Sequence, residues 1–210
     1  TPARASIVPT SNYGDSMILD VSLSKYCDLI PMDRYSQIAH RNGLMNLPPQ
    51  SMIELTHHLA KFLDPIYIKL KDEILSNSFV LADETPLKML EGDDRYNWYL
   101  WGFFSLRSCY FEAHNNRSGD VAINFLKRSK AKYLVTDGYS GYKKAVKEMK
   151  KKYDRDIVNI FCNAHSFRYF RDAGNPWTEE VAPILKLYGQ IYELESQRKK
   201  GEETLSREAQ

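Results

Sequence analysis

An α/β fold with a mixed five-stranded sheet, set behind an all-helical segment, is what this 210-residue sequence predicts. Three observations carry it. The first third of the chain places apolar residues at helical spacing, the spacing changes to that of strands after Ser78, and beyond Ala113 helices and strands alternate.

In order, residues 1–12 hold Pro2 and Pro9 with little apolar patterning and read as an extended arm. A helical pattern runs from Ser16 through Leu23 and Tyr26 to Ile30, where Pro31 stops it. A short helix from Asp33 to Arg41 closes at Asn42-Gly43, and Pro48-Pro49 opens a long amphipathic helix with apolar positions from Met52 to Ile74. Strands are expected over 79–90, 98–106 and 109–113, the first two joined by a turn at Gly92-Asp93-Asp94. A helix over 118–129 with Ser118 as its cap precedes a strand over 133–137. A basic helix over 142–153, a fifth strand over 157–161 and a helical remainder over 165–210 complete the chain. Three segments follow: 1–77 as helical lead-in, 78–175 as the sheet domain, and 176–210 as the start of a further helical region.

The composition excludes several classes. Apolar residues at 43% and 14 tyrosines describe a globular chain, and 29 basic against 27 acidic residues leave a net charge of only +2, so binding to a polyanion would depend on local patches. Cys27, Cys109 and Cys162 are odd in number and far apart, which argues for a reducing, cytoplasmic setting and against a disulfide framework. No apolar run is long enough to span a bilayer and no signal-peptide pattern opens the chain. Thr1 in place of methionine and a charged helical ending point to a piece of a longer protein.

The chemistry concentrates where apolar strands end in acids. Phe79-Val-Leu-Ala runs into Asp83 and Glu84, and Tyr133-Leu-Val-Thr runs into Asp137-Gly138. Two such strands lying side by side bring two carboxylates together, and close like charges are most readily held by a divalent metal. Taken singly, each aspartate also fits a turn or a helix cap. Glu84 points away from Asp83, because neighbouring strand residues face opposite ways, and is expected to cap or pair locally. The order strand, strand, strand, helix, strand, helix, strand, helix is that of the ribonuclease H-like fold, which sets the first strand beside the fourth and so makes Asp83 and Asp137 neighbours.

These residues resemble the DDE transposases of the bacterial insertion sequence 66 group. The likeness rests on Leu81-Ala-Asp-Glu-Thr-Pro-Leu-Lys88, Tyr99-Leu-Trp101, Arg117-Ser-Gly119, Thr136-Asp-Gly-Tyr-Ser-Gly-Tyr142 and Cys162-Asn-Ala-His165. Upstream it continues through Ser24-Lys-Tyr26, Pro31-Met-Asp-Arg34 and Arg41-Asn-Gly43. Departures are Asn163 where tryptophan is usual, Phe167 and Tyr169 at positions usually basic, and Leu55 where tryptophan is common. The resemblance implies cleavage and joining of DNA at insertion-sequence ends, with Mg²⁺ (or Mn²⁺) held by Asp83 and Asp137. It further implies transposon-end and target DNA as partners, a possible homo-oligomer, and a nucleoid-associated place in a bacterial cytoplasm. It calls for a third acid, a glutamate in a downstream helix, that nothing from Ala173 to Gln210 matches, so the piece alone is expected to be inactive.

DNA contacts are expected from Lys143 and Lys144 on the basic helix, from Arg168 and Arg171 at three-residue spacing on one helix face, and from His165 near the acids. Cys162 and His165 form half of a zinc pattern that Cys109 and His114 would complete, but those two, five residues apart on a strand, face opposite sides. Trp98, Tyr99 and Trp101 are read as packing, His57 and His58 as solvated or capping, and Cys27 as a small core residue. Two other functions fit the same fold: a non-catalytic DNA-binding remnant, and a metal-dependent nuclease without strand transfer.

Overall fold

The computed structural model describes residues 6–9, 11–44, 47–89, 97–174 and 177–208. The expected turn at 92–94 and the strand end at Leu90 lie outside them. The chain divides into two compact units, Thr1–Asp72 and Glu73–Gln210.

In the first unit, α1 (Asp15–Tyr26), α2 (Met32–Arg41) and most of α3 (Pro49–Ser76) enclose Ile18, Val21, Met32, Tyr35, Met52 and Leu55. The Asp15 carboxylate accepts from Ile7 N at 2.9 Å and from Ser6 Oγ at 2.8 Å, which ties the arm to the first turn of α1. Helix α1 stops at Tyr26, short of the expected Ile30, because Leu29 turns left-handed at φ 57° before Pro31 caps α2. Cys27 is exposed, correcting its expected place in the core. It falls just past the last turn, off the apolar stripe.

The second unit is a ribonuclease H-like sheet. Strands β1 (Phe79–Lys88), β2 (Asn97–Phe104), β3 (Cys109–His114), β4 (Tyr133–Thr136) and β5 (Val158–Phe161) lie in the order β3-β2-β1-β4-β5. Both β1–β2 and β2–β3 are antiparallel, whereas β4 runs parallel to β1 and to β5. Parallel neighbours need crossovers, which α4 (Gly119–Arg128) and α5 (Ser140–Tyr153) supply. Helix α4 begins as expected, with Ser118 Oγ accepting from Asp120 N at 3.2 Å.

Strand alternation decides what is buried. Val80, Ala82, Trp101, Phe103 and Leu134 point to one face and pack with Phe125, Leu126, Tyr142, Ala145 and Met149 of the two crossover helices. Phe103 stacks on Phe125 at 3.7 Å, and the Trp101 ring meets Tyr142 edge-on at 5.8 Å. Each such side chain contributes about 1.5–3 kcal/mol by leaving water.

Neighbouring strands differ in length. Strand β1 continues five residues past Asp83 while paired with β2, whereas its ladder with β4 covers only Phe79, Val80 and Leu81. The helical remainder is two elements, α6 (Asn163–Ala173) and α7 (Thr178–Glu208). Helix α6 packs on α7 through Phe167 and Phe170 against Tyr188, with Tyr192 beside Phe167.

Candidate active site

Register brings the two aspartates together. The last paired couple of β1 and β4 is Leu81 and Val135, and two residues further along each chain stand Asp83, still in β1, and Asp137, just past the end of β4. Both line one cleft, with a cavity of about 130 Å³ bounded also by Leu81, Ala82, Phe104, Val135, Thr136, Cys162 and His165. On its other side Asp83 borders a second hollow between Leu100, Gly102, Phe104 and Phe111. Gly102 stands directly across from Asp83 on β2, and a side chain there would run into the Phe104 ring at 2.6 Å.

The carboxylates are steered but not consumed by the protein. Asp83 Oδ1 accepts from Glu84 N at 3.0 Å, and Asp137 Oδ1 accepts from Tyr139 N at 2.9 Å. The Asp83 side chain remains 50% exposed, and its Oδ2 has His165 Nε2 at 3.6 Å. His165 arrives because Cys162 N bonds Thr136 O at 2.8 Å, fastening the start of α6 to the end of β4. Its Nδ1 is buried with no hydrogen-bond partner among the described residues.

Glu84 faces the core, as alternation requires, but it does not pair locally. Its side chain is 1% exposed. Arg117 reaches Oε1 through Nε at 2.7 Å and Nη2 at 2.6 Å, and the Tyr142 hydroxyl donates to Oε2 at 2.5 Å. Burial first, then the Glu84 bond, hold the Tyr142 hydroxyl protonated far above its ordinary range. Burial pulls Arg117 down, yet the Glu84 bond and charge outweigh it and raise the guanidinium overall. Sequence reading missed these partners because they lie 33 and 58 residues away. The available signal was the demand that a core-facing carboxylate find a cation.

The other expected contacts are spread out. Lys143 Nζ lies 5.6 Å from the centre of the exposed Phe161 ring, and Lys144 bonds Asp120 at 3.0 Å. Arg168 and Arg171 are exposed on α6, and Arg171 pairs with Asp172 at 2.9 Å. Elsewhere on α5, Lys152 pairs with Glu148 at 2.7 Å. Cys109 is across the sheet on β3, and His114 bonds Glu112 at 2.9 Å, so neither joins Cys162 and His165. Among the described residues no three His, Cys, Asp or Glu side chains group as a metal site, and no helix is long and apolar enough to cross a membrane.

With this geometry in hand, comparison with protein families matches residues 10–210 to "Transposase IS66 family". The chain belongs to that family. The aspartates therefore stand at adjacent strands of a DDE-type transposase domain. No curated protein matches. Among solved structures, the HTLV-2 integrase catalytic core domain in complex with magnesium, in its trimeric form, is 14% identical, with a TM-score of 0.34 over 52% of this chain and 83% of that one. Its dimeric form gives 12% identity and a TM-score of 0.33 over 52% and 82%. The simian T-cell lymphotropic virus intasome in complex with PP2A regulatory subunit B56 gamma gives 16% and 0.33, over 53% of this chain and 48% of that one. Overlaps this loose add nothing to the description of the site.

Proposed function

We propose that this chain carries the metal-dependent phosphoryl-transfer site of a DNA transposase, cutting and joining strands at insertion-sequence ends. The observation that supports it is the meeting of Asp83 and Asp137 in one open cleft where two parallel neighbours part. The donor set suits Mg²⁺ or Mn²⁺: both side chains offer oxygen, Asp83 is half in solvent, and the cavity has room for several waters. Asp83 and Asp137 would hold the cation. When bound it polarises the phosphoryl group and lowers the pKa of the attacking hydroxyl.

The remaining roles fall to the chain's own residues. Glu84 N and Tyr139 N each hold one oxygen of an aspartate, and the second oxygen of Asp83 has His165 Nε2 at 3.6 Å. His165 Nε2 faces the same space and contacts a phosphate there. Lys143, Lys144, Arg168 and Arg171 bind the DNA backbone without reading sequence. Residues 1–77 form the lead-in, 78–175 the catalytic domain and 176–210 the start of an inserted helical region, in a protein that works as a homo-oligomer on transposon-end and target DNA in the bacterial nucleoid.

The test is Asp83→Asn and Asp137→Asn in the full protein. Each is expected to abolish strand transfer and to remove Mn²⁺ binding, while end binding in a gel-shift assay persists. Strand transfer at wild-type rates in both variants would end the proposal.

A further inference from the structure

Behind the aspartates a buried carboxylate, Glu84, is paired with a guanidinium that stays partly in solvent, Arg117, and its place needs an explanation. Burying the Glu84 carboxylate costs its hydration, and an apolar side chain of similar volume often serves a core as well or better. Stability alone therefore does not account for Glu84 and Arg117. A charge-paired network is directional, however, and fixes geometry that an apolar contact leaves loose.

The directions close a circuit. Glu84 follows Asp83 on β1 and lends it a backbone N–H at 3.0 Å. On the opposite face its carboxylate holds Arg117, just before α4, and Tyr142, in the first turn of α5. The Arg117 guanidinium lies 4.3 Å from the centre of the Tyr139 ring, and the Tyr139 hydroxyl donates to Arg117 O. Tyr139 N then donates to Asp137 Oδ1 at 2.9 Å. The two cleft carboxylates are thus linked from behind through three side chains of distant segments.

We propose that Glu84, Arg117 and Tyr139 are positioning residues that set the separation and aim of the Asp83 and Asp137 carboxylates for a divalent cation. This rests on the metal-site reading above. It assigns to Glu84, the acid next to the first ligand, a role in the site without contact to the metal. Gly141 fits the same device: a Cβ there would come within 2.3 Å of the Tyr139 ring, so that ring can lie where it does only over a glycine.

The experiment is a Mn²⁺ titration of the full protein, read from the free-ion paramagnetic resonance signal, beside metal-free thermal melts. Variants are Glu84→Gln, Arg117→Ala, Arg117→Lys, Tyr139→Phe and Asp83→Asn, with Phe125→Leu as a core control distant from the cleft. Glu84→Gln and Arg117→Ala are expected to weaken Mn²⁺ binding about 10- to 100-fold, as losses behind metal ligands do. Arg117→Lys is expected to recover part of the loss, since it keeps the charge but not the two-pronged grip. Phe125→Leu is expected to lower the melting temperature without changing affinity.

Affinity within about 2-fold of wild type in Arg117→Ala, with Asp83→Asn having lost binding, overturns the positioning role and leaves the metal site standing. Equal weakening in Phe125→Leu also overturns it, because general softening would then suffice. Unchanged affinity in Asp83→Asn overturns the metal site and this inference together. Should Glu84→Gln not fold, Arg117→Ala decides alone, as that side chain is 43% exposed and its removal opens no sealed cavity.

Discussion

Replacing Gly119 by alanine sets two ordinary effects against each other. Gly119 opens α4 and is buried. Helix propensity favours alanine by roughly 0.5–1 kcal/mol in a helix interior and by less in a first turn. Against this, the new Cβ would lie 2.6 Å from the Gly141 carbonyl oxygen, 3.1 Å from its Cα and 3.2 Å from its carbonyl carbon. All three are backbone atoms of the first turn of α5, so no rotamer change relieves them. The two helix starts must separate by several tenths of an ångström, and overpacking of that kind costs about 1–3 kcal/mol. The steric effect wins, for a net loss of about 1–2 kcal/mol, or roughly 3–8 °C in melting temperature for a domain of this size. Circular-dichroism melts and urea titrations of both proteins measure it. A Gly119→Ala protein melting at or above wild type would show that the crossover helices are not locked at this contact.

Two further outcomes are expected. Burial and the 2.6 Å bond to Asp20 raise the Tyr35 hydroxyl from 10.0 to about 12, so the folded state keeps a proton that the unfolded state gives up. That contribution is complete below pH 10 and fades as pH climbs towards about 12, so the stability gap between wild type and Tyr35→Phe should narrow over that interval. A gap that stays constant in urea titrations at each pH would refute it. For DNA, the double change Lys143→Ala and Lys144→Ala should flatten the slope of log binding constant against log salt by about 1.8, if each lysine neutralises one phosphate. An unchanged slope in filter-binding assays would place the DNA elsewhere.

Much of this fold could be read before any coordinates. Apolar runs punctuated by turns gave strands of the right number and order. Burial is one-sided and not two-sided as the runs suggest: Val80, Ala82 and Leu134 are buried, whereas Phe79, Leu81 and Val135 are only partly so. What escaped was set by partners remote in sequence. Periodicity placed Glu84 on the face opposite Asp83, but Arg117 and Tyr142 reach it only through the packing of α4 and α5. Strand β1 was expected to reach Leu90, and its described part does pass the acids, reaching Lys88. Beyond residue 165 the sequence reads as helical, and two helices, α6 and α7, form there. Cys27 was misjudged because residue type speaks for average burial, whereas a position just beyond a helix end is decided by where the chain turns.

The unequal lengths of β1 and β4 have a consequence for how such a centre could tolerate change. The cleft is a notch at a step in the sheet, made where one ribbon stops and its neighbour carries on. Its depth is therefore governed by a loop, Asp137-Gly-Tyr139, and its floor by a ladder. Insertions in the loop would alter reach and access without disturbing the layer beneath, whereas one more paired residue on β4 would close the notch.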